Sequence, residues 1–180
     1  MPEELVITFP QPIEWNLKTY DHITLTTPTA GAWADAEQST GTAGTMKLMA
    51  AVGSTPEQVV RQMRISQIFR ADRFFQHCAA ISAEPGTLKK AIEAGRMALQ
   101  LDPPVVLDGK SYARLDLHEP NGADWDAAET ERGLASTITL IARTAGVPSP
   151  AVRQIPVNLA LEADVFFQGF SVSAPGGGGS

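Results

Sequence analysis

The groups able to act as nucleophile, base or metal ligand are few in this sequence. Cys78 is its only cysteine and follows His77 directly; the remaining histidines are His22 and His118. A thiol beside an imidazole is the raw material of a cysteine nucleophile. Successive positions on a helix, however, point about 100° apart, so His77 is poorly placed to serve as the base for its neighbour. A single cysteine makes neither an internal disulfide nor a thiolate metal site. Gly41-Thr42-Ala43-Gly44-Thr45 is glycine-rich but lacks the lysine and the spacing of a phosphate loop. His-Glu-x-x-His and Gly-x-Ser-x-Gly are both missing from the sequence. The sequence therefore reads as that of a non-enzyme, with no catalytic residues, no cofactor and no metal.

An internal duplication tests this reading. Displacing the sequence by 92 positions against itself matches about a third of the residues between 18 and 76. Lys18, Tyr20, Pro28 and Trp33 meet Lys110, Tyr112, Pro120 and Trp125, and Ala36-Glu37 meets Ala128-Glu129. Arg61-Gln62, Ala71-Asp72 and Phe74-Phe75-Gln76 meet Arg153-Gln154, Ala163-Asp164 and Phe166-Phe167-Gln168. Two working sites would share their working residues. No histidine is shared, and Cys78 meets Phe170, which marks it as a small core residue.

The elements that carry these residues follow from local pattern. Leu5 to Phe9 and Ala98 to Leu101 are expected as first strands, followed by proline-containing turn regions. Tyr20 to Thr26 and Tyr112 to His118 are expected as second strands, with hairpin turns at Asn16-Leu17-Lys18 and Asp108-Gly109-Lys110. Thr29 and Asn121 are suited to cap a first helix that stops near Gly41 or Gly133. Leu134, Ile138, Ile141 and Ala145 form the apolar stripe of a second helix. A third begins at Pro56 or Pro148. The fourth follows Ser66 or Asn158 as caps and carries Ile68, Ala71, Phe75 and Cys78 on one stripe. The fold class is thus α+β: two tandem copies of a β-hairpin followed by about four short helices. The copies occupy residues 1–86 and 97–173, with a linking helix over 87–96 and a Gly-rich flexible tail, or linker scar, over 174–180. They should fold alike and be related by a pseudo-twofold axis or a simple translation.

Composition sets the broad class. Apolar residues make up 43% of the sequence and charged residues 19%, the balance of a protein with a packed core. No apolar stretch is long enough to span a membrane, and the acidic start is unlike a secretory signal, which places the chain in the cytoplasm. A net charge of −6 argues against nucleic acid and anionic membrane as partners. Asp72 and Asp164 lie among apolar residues, where a carboxylate needs an arginine or a backbone amide. Trp33 and Trp125 read as core residues whose indole N–H groups need acceptors.

Charge distinguishes the copies. Residues 1–92 hold nine acidic and eight basic side chains, and residues 93–180 hold eleven and six. Arg61, Arg64, Arg70 and Arg73 sit at two i, i+3 spacings, with Arg153 the only counterpart in the second copy. They read either as a solvated face or as a face for an acidic partner. Met46, Met49 and Met63 are candidates for adaptable apolar surface.

Residues 23–31, Ile-Thr-Leu-Thr-Thr-Pro-Thr-Ala-Gly, with Ala36-Glu37 beyond, resemble the opening of the Mu-like family of bacteriophage tail assembly chaperones. Residues 115–120, Leu-Asp-Leu-His-Glu-Pro, are similar, as are the Gly and Pro punctuation at 53–56 and 146–148 and the closing Phe-Phe. Members of that family are usually single units, so the duplication is a departure. The resemblance implies a helper in virion morphogenesis in the host cell cytoplasm. Such a helper coats the helical tape measure protein, helps recruit tail tube subunits and is shed as the tube grows. Alternatives are a structural tail component retained in the particle and a generic two-domain adaptor. Self-association is compatible with all three.

Overall fold

Ile7 and Phe9 alternate with polar neighbours on one strand, and Ile23 and Leu25 do so on the next, giving the first hairpin one apolar face. A lone two-stranded hairpin is marginal in water, so that face must be covered by helices. The computed structural model, which describes residues 4–172, shows this arrangement twice. The first copy comprises β1 (Glu4–Trp15), β2 (Lys18–Thr26), α1 (Ala30–Glu37), α2 (Thr42–Val52), α3 (Glu57–Val60) and α4 (Ile65–Cys78). After α5 (Pro85–Ala94) the same order returns as β3 (Arg96–Leu107), β4 (Lys110–His118), α6 (Gly122–Glu129), α7 (Leu134–Ala145), α8 (Ser149–Val152) and α9 (Val157–Val172). The protein is α+β, with two separate antiparallel hairpins. The expected tail over 174–180 lies outside the described residues.

Both first strands run longer than their expected segments. The proline-containing stretches do not end them but form a bulge inside them. Residues 9–12 stand across from Asp21, between the pairs Thr8–His22 and Ile13–Tyr20. The second hairpin shifts register at the equivalent place, between Gln100 and Val105. A bulge on an edge strand is where a residue without an N–H is tolerated. Pairing then resumes as far as the turn.

Helix starts agree in part with the sequence. Thr29 caps α1 by accepting from the Ala32 amide at 3.2 Å, and Asn121 caps α6 by accepting from the Asp124 amide at 3.0 Å. Ser66 and Asn158 do not cap the fourth helices, which begin one residue earlier, at Ile65 and Val157. At the start of α4 it is the Gln67 carboxamide that takes the Arg64 amide, at 3.1 Å. The same side chain donates to the Thr8 carbonyl at 3.0 Å and ties the helix to β1.

Two apolar clusters result, and they do not divide at the copy boundary. One joins the first hairpin to Leu48, Met49, Val59, Val60, Ile68 and Phe75. The other joins the second hairpin to α7, α8 and α9, and also takes in Ala30 and Ala34 from α1 of the first copy. Trp33 packs against both clusters. Its indole N–H donates to Glu37 at 3.1 Å, which supplies the acceptor a half-buried tryptophan needs.

Candidate interaction surfaces

The two copies meet through α1. Pro28 to Gly31 lie along the turn between α8 and α9 and exchange backbone hydrogen bonds with it. The Ala30 amide donates to the Ile155 carbonyl, the Gly31 amide to the Arg153 carbonyl, and the Val157 amide to the Pro28 carbonyl, at 2.8, 2.8 and 3.0 Å. Gly31 is required for this approach: a Cβ there would lie 2.9 Å from both the Cβ and the carbonyl oxygen of Arg153. The Arg153 guanidinium donates to Asp35 at 2.7 Å and to the Gly31 carbonyl at 3.3 Å. Further along, the Glu37 carboxylate accepts from the Leu134 amide at 2.8 Å. That amide is an orphan donor at the start of α7, where the helix dipole also favours an anion. The contact is head to tail: residues 28–37 of the first copy meet residues 133–157 of the second. The corresponding surfaces, around α6 and around the α3–α4 turn, carry the exposed residues Gly122, Asp126 and Glu129 on one side and Arg61, Arg64 and Ile65 on the other. A pseudo-twofold relation would have paired these as well, and it is excluded.

The linker is held by a second device. Glu162 is buried and accepts from the backbone amides of Ser82 and Ala83, at 2.9 and 3.0 Å. Its counterpart in the first copy is Arg70, which is exposed. Gly169, where the first copy has His77, gives room to Ile92 of α5; a Cβ would fall 2.6 Å from the Ile92 Cδ1. Beside this packing lies an open cleft of about 830 Å³ between α5 and α9, walled by Ile81, Leu88, Ile92 and Val165, with Lys89 and Glu93 at its edge. Nothing in the sequence pattern singled it out, because its walls come from a loop and two helices about seventy residues apart in the chain.

The arginines singled out from sequence are all exposed, but they do not share one helix face. Arg61 ends α3 and pairs with Glu57, Arg64 precedes α4, and only Arg70 and Arg73 are carried by α4 itself. With them stand two exposed apolar side chains, Ile65 at 54% and Phe69 at 53% exposure. Sequence reasoning missed this pair because it followed the buried stripe through Ile68 and Phe75. A second apolar i, i+4 pair off that stripe was the available signal. The methionines are corrected by burial. Met49 is wholly buried and Met63 nearly so, because Met49 points inward from α2 and Met63 from the turn between α3 and α4, and Met46 packs half-buried against the same cluster. None of them forms an open apolar patch.

The remaining polar residues have structural partners. Asp72 accepts from the Thr45 hydroxyl at 3.0 Å and Asp164 from the Thr137 hydroxyl at 2.7 Å, one bond repeated in both copies. The partner is a threonine rather than the arginine or backbone amide expected. Cys78 is buried, with the Thr27 hydroxyl 3.9 Å from its sulfur. Asp21 pairs with His22 on the exposed side of β2, and the hydrogen bond to His22 holds the Asp21 carboxyl below its ordinary range. Among the described residues no cluster of His, Cys, Asp and Glu could hold a metal ion, and no helix is long and apolar enough to cross a membrane. Comparison with family models, with curated proteins and with solved structures finds no match to this chain.

Proposed function

We propose that this protein is a non-catalytic assembly factor of the phage tail chaperone type, acting in the host cytoplasm on the tape measure protein and on tail tube subunits. The observation that carries the reading is the cleft between α5 and α9. Its volume, about 830 Å³, and its Ile81, Leu88, Ile92 and Val165 walls suit the apolar stripe of one amphipathic helix. Ile81 and Val165 are large apolar side chains left open to solvent there. A tape measure protein is a long helical client with such stripes, and the resemblance of residues 23–37 to the chaperone family supplies the identity of the client. The test is co-expression of the full chain with tape measure segments, followed by affinity capture. Capture is expected, and it should fall at least tenfold for the double change Ile81→Glu and Val165→Glu, which places two charges against an apolar stripe. Undiminished capture by the folded double variant would remove the cleft from the reading.

A second reading, a tail component retained in the particle, draws on the head-to-tail contact between the copies, since heterologous contacts build rings and filaments. Quantifying the chain in purified virions separates the two. A chaperone is absent from them, and a structural component is present in fixed proportion to the tube.

A further inference from the structure

The contact that joins the two copies is one-sided, so each of its halves occurs twice and is used once. Three residues recur on both pairs of halves: Glu37 on one half, Gly133 and Arg153 on the other. The unused halves keep all three. Glu129 is exposed at the end of α6. Gly41 stands before α2 with φ 58° and ψ −140°, against 59° and −141° for Gly133 before α7. Arg61 occupies the place of Arg153.

Burial shows what the unused half lacks. Val157, at the start of α9, is wholly covered in the internal contact, whereas its counterpart Ile65 is 54% exposed. Beside Ile65 the Phe69 ring is exposed as well. The start of α7 has the Glu37 carboxylate on its first amide; around Gly41, at the start of α2, there is open space. Charge then says what fits. The α6 side presents Asp126 and Glu129, and the α3–α4 side presents Arg61 and Arg64 beside the two apolar side chains. The counterpart of α1, which fills this place in the internal contact, is the acidic α6 of a second copy.

We propose that α6 of one molecule docks on the α3–α4 turn and the start of α2 of the next, repeating the internal contact between molecules and lining them up head to tail. Three substitutions in α6 weaken it. Ala123 stands where Gly31 does in the internal contact, and a Cβ there meets the backbone at 2.9 Å, so the intermolecular contact is held slightly open and is weaker and reversible. Asp126 and Ala127 stand where Ala34 and Asp35 do, so the Asp35–Arg153 ion pair has no direct counterpart and a carboxylate meets a slot that is apolar in the internal contact. A heterologous contact of this kind is open-ended unless a ring closes. This inference stands apart from the α5–α9 cleft.

Sedimentation velocity on the full chain tests it, over a range of concentrations at low and at high salt. The wild-type chain should form concentration-dependent oligomers that dissociate as salt rises. Ala123→Gly should tighten association roughly tenfold by removing the misplaced methyl. Arg61→Glu and Glu129→Lys each spoil one half and leave the other intact, so each variant alone should remain monomeric. Mixed together, the two should associate again, because the intact α6 of one variant meets the intact α3–α4 turn of the other. Circular dichroism and melting of each variant establish that it is folded. A wild-type chain that stays monomeric even as Ala123→Gly, or a mixture that does not associate, would overturn the proposal. Oligomers unchanged by either charge reversal would place the contact elsewhere and overturn it equally.

Discussion

The fourth helices of the two copies, α4 and α9, descend from one pattern and live in different surroundings. Helix α4 buries Ile68, Ala71, Phe75 and Cys78 against its own hairpin and leaves Ile65, Phe69, Arg70 and Arg73 outside. Helix α9 is covered on two further sides, by α1 at its start and by α5 along its length, and its residues Val157, Glu162 and Phe166 are all buried. Where the copies differ in sequence, the difference tracks this covering. Where the first copy has Arg70 the second has Glu162, which accepts the linker's amides; where the first has His77 the second has Gly169, which leaves room for Ile92. Divergence between duplicated units is thus a record of which faces met a neighbour and which did not.

The strongest way to break this comparison is to cut the same aromatic position in both copies. Phe75 and Phe167 are each fully buried, so Phe→Ala at either should cost about 3–5 kcal/mol of stability. The preceding pair should not match. Phe166 is wholly buried and packs on Phe167 and Phe170, at centroid distances of 5.3 and 5.1 Å. Phe74 is only partly covered. Phe166→Ala should fall in the same range, and Phe74→Ala well below it. Denaturant unfolding of the four variants measures this, and equal losses at 74 and 166 would contradict the difference in covering.

Glu162→Gln sharpens the comparison at the linker. Two amide donors are matched to one carboxylate, and hydrogen bonds to a charged acceptor are worth about 1.5–3 kcal/mol. The loss should appear as faster amide exchange at Ser82 and Ala83 together with a lowered melting temperature. Arg70→Gln, the same change at the exposed counterpart, should alter stability by under about 0.5 kcal/mol. A loss at Arg70 equal to that at Glu162 would show that the two positions are not set apart by burial.

Gly31→Ala addresses the contact between the copies directly. The added methyl meets backbone, and overpacking of this kind costs about 1–3 kcal/mol. The second copy already carries alanine at the equivalent position, Ala123, so Ala123→Gly should cost the isolated molecule no more than the entropic penalty of a helical glycine, about 0.5–1 kcal/mol. Thermal unfolding that separates into two steps for Gly31→Ala, one for each copy, would show the contact loosening. A single unshifted transition would show that Gly31 is not what permits the approach.

Much of the fold was legible because it rests on local pattern and on the duplication. The stripes through Ile138 and Phe75 gave their helices, and the caps Thr29 and Asn121 are the residues that bond. The bulges were not legible, since Pro10 and Pro12 signal a turn as readily as a bulge and only the partner strand decides between them. The contact between the copies was hidden for a related reason. Its backbone hydrogen bonds leave no trace in side-chain type, and the small residues Ala30, Gly31 and Ala34 look like ordinary helix formers until another surface lies on them. Met49 shows the converse error: a flexible apolar side chain suits a binding surface and a core equally, and helical spacing alone does not choose.

The smallest expected effect concerns the tips of the hairpins, where one turn geometry is built from different residues. Asn16 and Leu17 have φ of 48° and 63°, and Asp108 and Gly109 have 48° and 76°. Both central residues are therefore left-handed, as the two-residue turn that matches strand twist requires. Asparagine, aspartate and glycine accept this conformation readily; leucine does not, because its Cβ crowds the following carbonyl at a cost of about 1–2 kcal/mol. Leu17 is also fully exposed, so it recovers nothing by packing. Glycine in its place relieves the crowding but widens the unfolded ensemble, which offsets roughly 0.5–1 kcal/mol of the gain. Leu17→Gly should accordingly raise the stability of the first copy by up to about 1 kcal/mol, and Gly109→Leu should lower that of the second by a similar amount. Urea unfolding of both variants tests the pair together. If Leu17→Gly is destabilising while Gly109→Leu is neutral, backbone strain at the tip is not what separates the two hairpins.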